Sequence, residues 1–212
     1  FFDRGEGAYL WDTDRNKYLD FMCAYGPNLL GYSDKRVDGA AIDQLAKGDT
    51  MTGPTALMVE LAETMTDMVS HADWAIFCKN GTDATTMAKT VARAETGKRV
   101  ILVANGAYHG AVPWCTPMPA GVLPEDRAHI AYYDYNSVES LEAAVKEAGD
   151  DLAGIFATPF KHDAFTDQAA PDPAYAKRAR ELCDEKGALL IVDDVRGGFR
   201  LARLERIQGP FA

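Results

Sequence analysis

The sequence has 212 residues, of which 47% are hydrophobic and 25% are charged, and its formal net charge is −10. This charge argues against nucleic acid and anionic membranes as partners, because both attract a basic protein surface. The apolar runs are strand-length and too short to cross a membrane, and no signal-peptide pattern opens the chain. The cysteines are far apart and form no CxxC pair, which is typical of reduced thiols in a cytoplasmic protein: Cys23, Cys78, Cys115 and Cys183.

Residues 1–70 predict a hairpin followed by helices. Aromatic and apolar residues alternate over 8–12 and 17–21, on either side of a turn rich in Asp and Asn, which favours two antiparallel strands. A helix is expected over about 34–47, and a second one begins after a cap at Thr55. The spacing of four apolar residues in this second helix predicts one inward-facing stripe: Leu57, Leu61, Met65 and Met68.

Beyond residue 70, predicted strands and helices alternate. Apolar runs predict strands over 74–78, 100–104, 129–133, 154–157 and 188–192. Helices are expected over about 83–94, after a capping box formed by Asn136 and Glu139, and from Asp172-Pro173 to Gly187. This alternation predicts an α/β fold with a mostly parallel sheet and helices on both faces. We therefore expect an N-terminal segment over 1–70 and an α/β domain over 71–212.

The predicted strand 188–192 ends in two carboxylates, Asp193 and Asp194. Ligands of open α/β sheets bind at the carboxyl ends of the strands, so Asp193 is a candidate functional residue. One alternative is that the two carboxylates only cap a loop. Another is that they hold Mg²⁺ for phosphoryl transfer. The histidines of the sequence show no metal-ligand spacing, and we expect no metal site.

Two other loops follow predicted strands. Gly81 and Thr82 open a helix, where unpaired amides and the helix dipole favour a phosphate, although Thr82 or Asp83 capping an ordinary turn would give the same pattern. Tyr108 and His109 follow the strand 100–104, and an aromatic ring there stacks on a flat heterocycle or simply packs in the protein. A phosphate seat, an aromatic face and a carboxylate together describe a pocket for pyridoxal 5'-phosphate.

The chain resembles the class III (subgroup II) pyridoxal-phosphate aminotransferases of fold type I, with closest similarity to glutamate-1-semialdehyde aminomutases. The matching segments follow the family's order along the chain. They are residues 5–12, Tyr25-Gly26-Pro27, residues 80–85, Tyr108-His109-Gly110, Tyr135-Asn136 and residues 193–200. The resemblance implies an incomplete fold-type-I large domain over 71–212.

The resemblance also implies roles for individual residues. Gly81 and Thr82 would bind the cofactor phosphate, and Tyr108, with His109 beside it, would stack on the ring. Asp193 would pair with the pyridine nitrogen and act in catalysis, while Val195 would pack on the opposite ring face. Tyr25 and Gly26 would lie towards the substrate.

The sequence also departs from the family pattern. Thr158 stands before Pro159 where the family usually has a glutamate, which affects the expected handling of substrate. The family places its Schiff-base lysine a few dozen residues after the Asp193 position, and the 212 residues contain no lysine beyond Asp193.

Two functions follow as hypotheses. The first is transfer of an amino group between a small amino compound and a carbonyl compound by a cytoplasmic homodimer. The second is a catalytically inactive remnant that binds phosphate ligands or a partner chain.

Overall fold

A computed structural model describes residues 1–161 and 167–200. The chain forms two compact units, Phe1–Leu61 and a second one that begins at Ala62. The domain boundary at residue 70 stays a prediction. In the described ranges, none of the helices has the length and apolar character needed to cross a membrane.

The strands, in chain order, are β1 (Phe2–Glu6), β2 (Tyr9–Asp12), β3 (Lys17–Leu19), β4 (Val100–Ala104), β5 (Ile130–Tyr133), β6 (Leu152–Ala157) and β7 (Leu189–Val192). The α-helices are α1 (Lys35–Leu45), α2 (Ala56–Met68), α3 (Gly81–Thr96), α4 (Val138–Ala148) and α5 (Pro173–Lys186).

The first unit contains the predicted hairpin. Strands β2 and β3 pair antiparallel, and β1, which the sequence did not predict, adds a third antiparallel strand beside β2. The hairpin turn is stabilised by Asp12, whose carboxylate accepts hydrogen bonds from the amides of Asp14 and Asn16 and from the Tyr18 hydroxyl.

The expectation that the apolar stripe of α2 belongs to the core was wrong. Leu57 and Leu61 are about half exposed, and no residue of α1 or α2 is buried. The physical reason is that a helix buries an apolar stripe only where another element covers it, and α2 extends from the first unit into the start of the second without such cover among the described residues.

The second unit is built on a four-stranded parallel sheet in the order β5-β4-β6-β7. Successive residues of a strand point to opposite faces, and each face has its own apolar cluster. Leu102 and Ile155 lie in a cluster with residues of α4 and α5. Ile101 and Phe156 lie in the other cluster, with Ala92 of α3. The predicted α/β architecture, with helices on both faces, is therefore confirmed.

Two local predictions were wrong, and so was the alternative that Thr82 or Asp83 caps α3. Residues 74–78 do not form a strand, because no described strand pairs with them and Trp74 and Ile76 remain exposed. The N-cap of α3 is Asn80, whose side chain accepts from the Asp83 amide at 2.9 Å. The N-cap of α4 is Ser137 and not Asn136. Asn136 instead bonds the chain entering α5, through Ala170 O and the Asp172 amide.

Candidate cofactor-binding site

The candidate site lies where the loops after β4 and β7 meet the first turns of α3. Strand β7 pairs with β6, and the bond from the Asp193 amide to Ala157 O (2.9 Å) continues that pairing beyond the end of β7. This bond fixes the backbone of Asp193 at the carboxyl edge of the sheet, as the sequence predicted for a ligand-binding carboxylate.

Asp193 contacts His109 from the loop after β4. The Nδ1 atom of His109 lies 2.8 Å from Oδ2 of Asp193, and the two side chains are 0% and 9% exposed. The His109 ring also packs on Phe156, with 5.0 Å between ring centroids. The other carboxylate oxygen, Oδ1, accepts from the Val195 amide at 3.3 Å. The carboxylate is therefore oriented from two sides.

The first turn of α3 has free hydrogen-bond donors. Asn80 satisfies the amides of Asp83 and Ala84, through its side chain and its carbonyl oxygen respectively. Within the described part of the chain, the amides of Gly81 and Thr82 make no hydrogen bond. The space that a side chain at position 81 would occupy is open. This arrangement suits an anion, because the positive end of the helix dipole lies at the same place.

Gly110 brings the loop after β4 against this helix end. Its φ is +137°, and a Cβ atom there would lie 2.7 Å from Oγ1 of Thr82. The Ala111 amide reaches the same Oγ1 at 3.4 Å. Only glycine permits this close approach. It brings the loop that carries His109 against the anion seat, by which we mean the free amides of Gly81 and Thr82.

The remaining predicted residues are exposed, except Gly26, which is partly buried. Tyr108 and Val195 are 48% and 68% exposed, which leaves their side chains available to a planar ligand. Tyr25 and Gly26 belong to the first unit and lie in a left-handed turn, with φ values of 63° and 120°. Thus the structure brings Thr82, His109 and Asp193 into one region, while Tyr25 and Gly26 stay predictions.

Asp194 is not equivalent to Asp193. Burial raises the pKa of its carboxyl group, and its Oδ1 atom is buried with no partner among the described residues. In the same part of the chain, no group of three or more His, Cys, Asp or Glu side chains is arranged to hold a metal ion. The Mg²⁺ hypothesis for the two carboxylates therefore has no structural support.

Sequence reasoning missed two threonines that bind the loop after β4. Thr85 Oγ1 lies 2.6 Å from His109 O, and Thr86 Oγ1 accepts from the indole N–H of Trp114 at 3.0 Å. The available signal was the spacing of Thr82, Thr85 and Thr86, since residues three and four apart share one face of a helix.

Comparison with known proteins agrees with this geometry. The family model described as aminotransferase class-III matches residues 1–203. The chain belongs to the class-III aminotransferase family. Members of this family depend on pyridoxal phosphate, and the predicted cofactor is thereby confirmed at the level of the family. The free amides of α3, the open space at Gly81 and the oriented Asp193 carboxylate fit the phosphate and ring nitrogen of this cofactor.

Individual relatives share the same region. An aminopentol aminotransferase of Sphingopyxis macrogoltabida is 58% identical, over 96% of this chain and 48% of the relative. A glutamate-1-semialdehyde 2,1-aminomutase of Chloroflexus aurantiacus is 34% identical, over 95% of this chain and 48% of the relative. The PLP internal aldimine form of the FumI protein of Sphingopyxis sp. MTA144 superposes with a TM-score of 0.92 at 57% identity, over 95% and 49% of the two chains. The chain thus spans about half the length of the relatives it matches.

Proposed function

We propose that the protein is a pyridoxal-phosphate-dependent aminotransferase or aminomutase that moves an amino group between an amino compound and a carbonyl compound. The observation that carries the proposal is the buried His109–Asp193 pair beside the free amides of α3. The similarity to an aminopentol aminotransferase supports an amine such as aminopentol as the donor.

The residues of this chain hold and orient the cofactor. The amides of Gly81 and Thr82 would donate to its phosphate, and Tyr108 and Val195 would contact its ring. When bound, the cofactor supplies a carbonyl carbon that takes the amino group and a ring that accepts electrons. Asp193 would help to hold a proton on the ring nitrogen, because an adjacent carboxylate favours the protonated form.

His109 keeps Asp193 ready for this role. Its Nδ1 atom lies 2.8 Å from Oδ2, so the ring holds the orientation of the carboxylate in a buried site. The other ring nitrogen, Nε2, is buried and has no partner among the described residues.

An absorbance experiment tests the proposal. Pyridoxal phosphate is added to the purified protein, and the spectrum is recorded before and after borohydride. An aminotransferase gives a band shifted from that of the free aldehyde and, after reduction, a covalent mass increase on lysine. The spectrum of the free aldehyde alone would favour the inactive remnant.

A second experiment tests Asp193 without the need for a lysine. Pyridoxamine phosphate binding is measured by calorimetry for the wild-type protein, Asp193→Ala and the control Asp184→Ala on the exposed side of α5. We expect Asp193→Ala to abolish tight binding and the control to leave it unchanged. Equal affinity for all three proteins would exclude Asp193 as the partner of the ring nitrogen.

We also propose that the protein is a cytoplasmic homodimer. The exposed apolar side chains on α1 and α2 support self-association, because association would remove them from water. The four free cysteines support a reducing compartment. Analytical ultracentrifugation over a range of concentrations tests the dimer, and a single monomeric species throughout would exclude it.

A further inference from the structure

Thr85 lies in α3, and its buried hydroxyl group contacts the loop that carries His109. Its Oγ1 atom is 2.6 Å from His109 O and 3.1 Å from Thr82 O. A threonine hydroxyl has one proton to donate, so the shorter contact identifies the His109 carbonyl as the main acceptor. Thr85 thus holds the backbone of a residue whose side chain binds Asp193.

The position of the His109 ring depends on that backbone. The ring is fully buried and packs against Phe156, which restricts its rotation about the side-chain bonds. With rotation restricted, a shift of the main chain moves Nδ1 directly away from the Asp193 carboxylate. If the His109 carbonyl loses the Thr85 hydroxyl as its donor, its oxygen is left buried and unpaired. This state is unfavourable, so it favours a shift of the main chain.

The same helix also carries the anion seat. Thr85 lies one turn after Gly81 and Thr82, whose amides are free, and Thr86 one residue further binds Trp114 in the same loop. The segment between residues 81 and 86 therefore carries the free amides of the anion seat and also contacts the His109 loop. This rigid helical turn provides a continuous connection from one end of the site to the other.

We propose that Thr85 is a positioning residue that holds His109 against Asp193 and so links the anion seat of α3 to the carboxylate that binds the ring nitrogen. The inference rests on the proposed function, in which this region binds pyridoxal phosphate. Thr85 itself does not contact the reacting atoms.

The first test needs no ligand. Long-range ¹H–¹⁵N NMR of the His109 imidazole is recorded for wild type, Thr85→Val, Thr85→Ser and the control Thr90→Val, which removes an exposed hydroxyl from the same helix. We expect exchange of the Nδ1 proton with water to be about tenfold faster in Thr85→Val, because a buried hydrogen bond is lost. Thr85→Ser and Thr90→Val should match wild type. An unchanged Nδ1 signal in Thr85→Val would overturn the proposal.

The second test is pyridoxamine phosphate affinity for the same proteins. We expect about tenfold weaker binding for Thr85→Val and wild-type affinity for Thr85→Ser and Thr90→Val. Equal affinity of Thr85→Val and wild type, or equally weak binding by Thr85→Ser, would contradict the positioning role.

The two tests separate failure of this inference from failure of the proposed function. If wild type does not bind pyridoxamine phosphate, the proposed function fails, and the His109 signals alone decide whether Thr85 positions that ring. If Thr85→Val does not fold, Thr85→Ala replaces it in both tests, because the smaller side chain also lacks the hydroxyl and causes no crowding.

Discussion

The imidazole of His109 and the carboxylate of Asp193 lie 2.8 Å apart, although 84 positions separate the two residues in the chain. His109 follows β4 and Asp193 follows β7, and β6 lies between these strands in the sheet. The pair therefore depends on the pairing of β4, β6 and β7. Loss of the contact between the two side chains should weaken ligand binding more than it weakens folding.

His109→Phe tests how much the contact between His109 and Asp193 contributes to ligand affinity. Phenylalanine keeps the ring volume and the packing on Phe156 but removes the donor to Asp193. We expect about tenfold weaker pyridoxamine phosphate binding in calorimetry, since a hydrogen bond to a charged group is lost. His71→Phe, a substitution at an exposed position, is the control. Unchanged affinity of His109→Phe would show that Asp193 does not need this partner.

Gly110→Ala tests the close approach of the loop to α3. The new Cβ would meet Oγ1 of Thr82 at 2.7 Å, and φ is +137°. We expect a loss of about 1–3 kcal/mol in the free energy of unfolding, measured with urea, because strain and overpacking add. Gly106→Ala is the matched control, since it has a positive φ of 73° but open space around the new atom. If both substitutions lowered the free energy of unfolding equally, the contact between the new Cβ and Thr82 would not contribute to the loss of stability.

Tyr133→Phe tests the polar contact buried between the sheet and α5. The Tyr133 hydroxyl lies 2.7 Å from Phe156 O and 2.7 Å from the Tyr175 hydroxyl. We expect a loss of about 1–3 kcal/mol in the free energy of unfolding, because buried polar groups lose a partner. Tyr132→Phe, at an exposed neighbouring position, should have a smaller effect. A loss no larger than that of the control would contradict the prediction.

Cys183 should make stability depend on alkaline pH. Burial raises the pKa of its thiol from 9.0 to about 12. The unfolded chain therefore loses this proton first, so the contribution of Cys183 is present below pH 9 and is lost as pH rises from 9 to 12. At about 1.4 kcal/mol per pKa unit, the loss amounts to several kcal/mol.

Thermal unfolding from pH 8 to 11 measures this dependence. We expect Cys183→Ala to have a flatter pH profile than wild type, whereas Cys23→Ala, at a partly exposed position, should keep the wild-type slope. In native protein at pH 8, a thiol reagent should modify Cys23 and leave Cys183 unreacted. Rapid modification of Cys183 would show that it is not buried.

The sequence predicted those parts of the fold that depend on local pattern. The β2–β3 hairpin, the parallel strands and the α5 start at Asp172-Pro173 follow from alternation, apolar runs and capping chemistry. The strand predicted over 74–78 failed because strand formation requires a neighbouring strand, which a local pattern does not contain. The alternative of a Thr82 or Asp83 cap on α3 was wrong, because the side chain of Asn80 accepts from the Asp83 amide.

The candidate site was predictable as residue types at strand ends, but its contacts were not. Asp193, Thr82 and His109 were each identified from position and family resemblance. The bond between His109 and Asp193, and the role of Thr85, depend on the distance between separate elements, which no local spacing specifies.

The order of the chain has a consequence for folding. Asp193 is anchored to β6 through its amide and lies just beyond β7, which follows the other described strands of this sheet along the chain. The anion seat and His109 are made earlier, but they cannot meet Asp193 until β7 has joined β6. A ligand that contacts all three therefore binds only chains in which β7 is paired, and by mass action it stabilises that pairing.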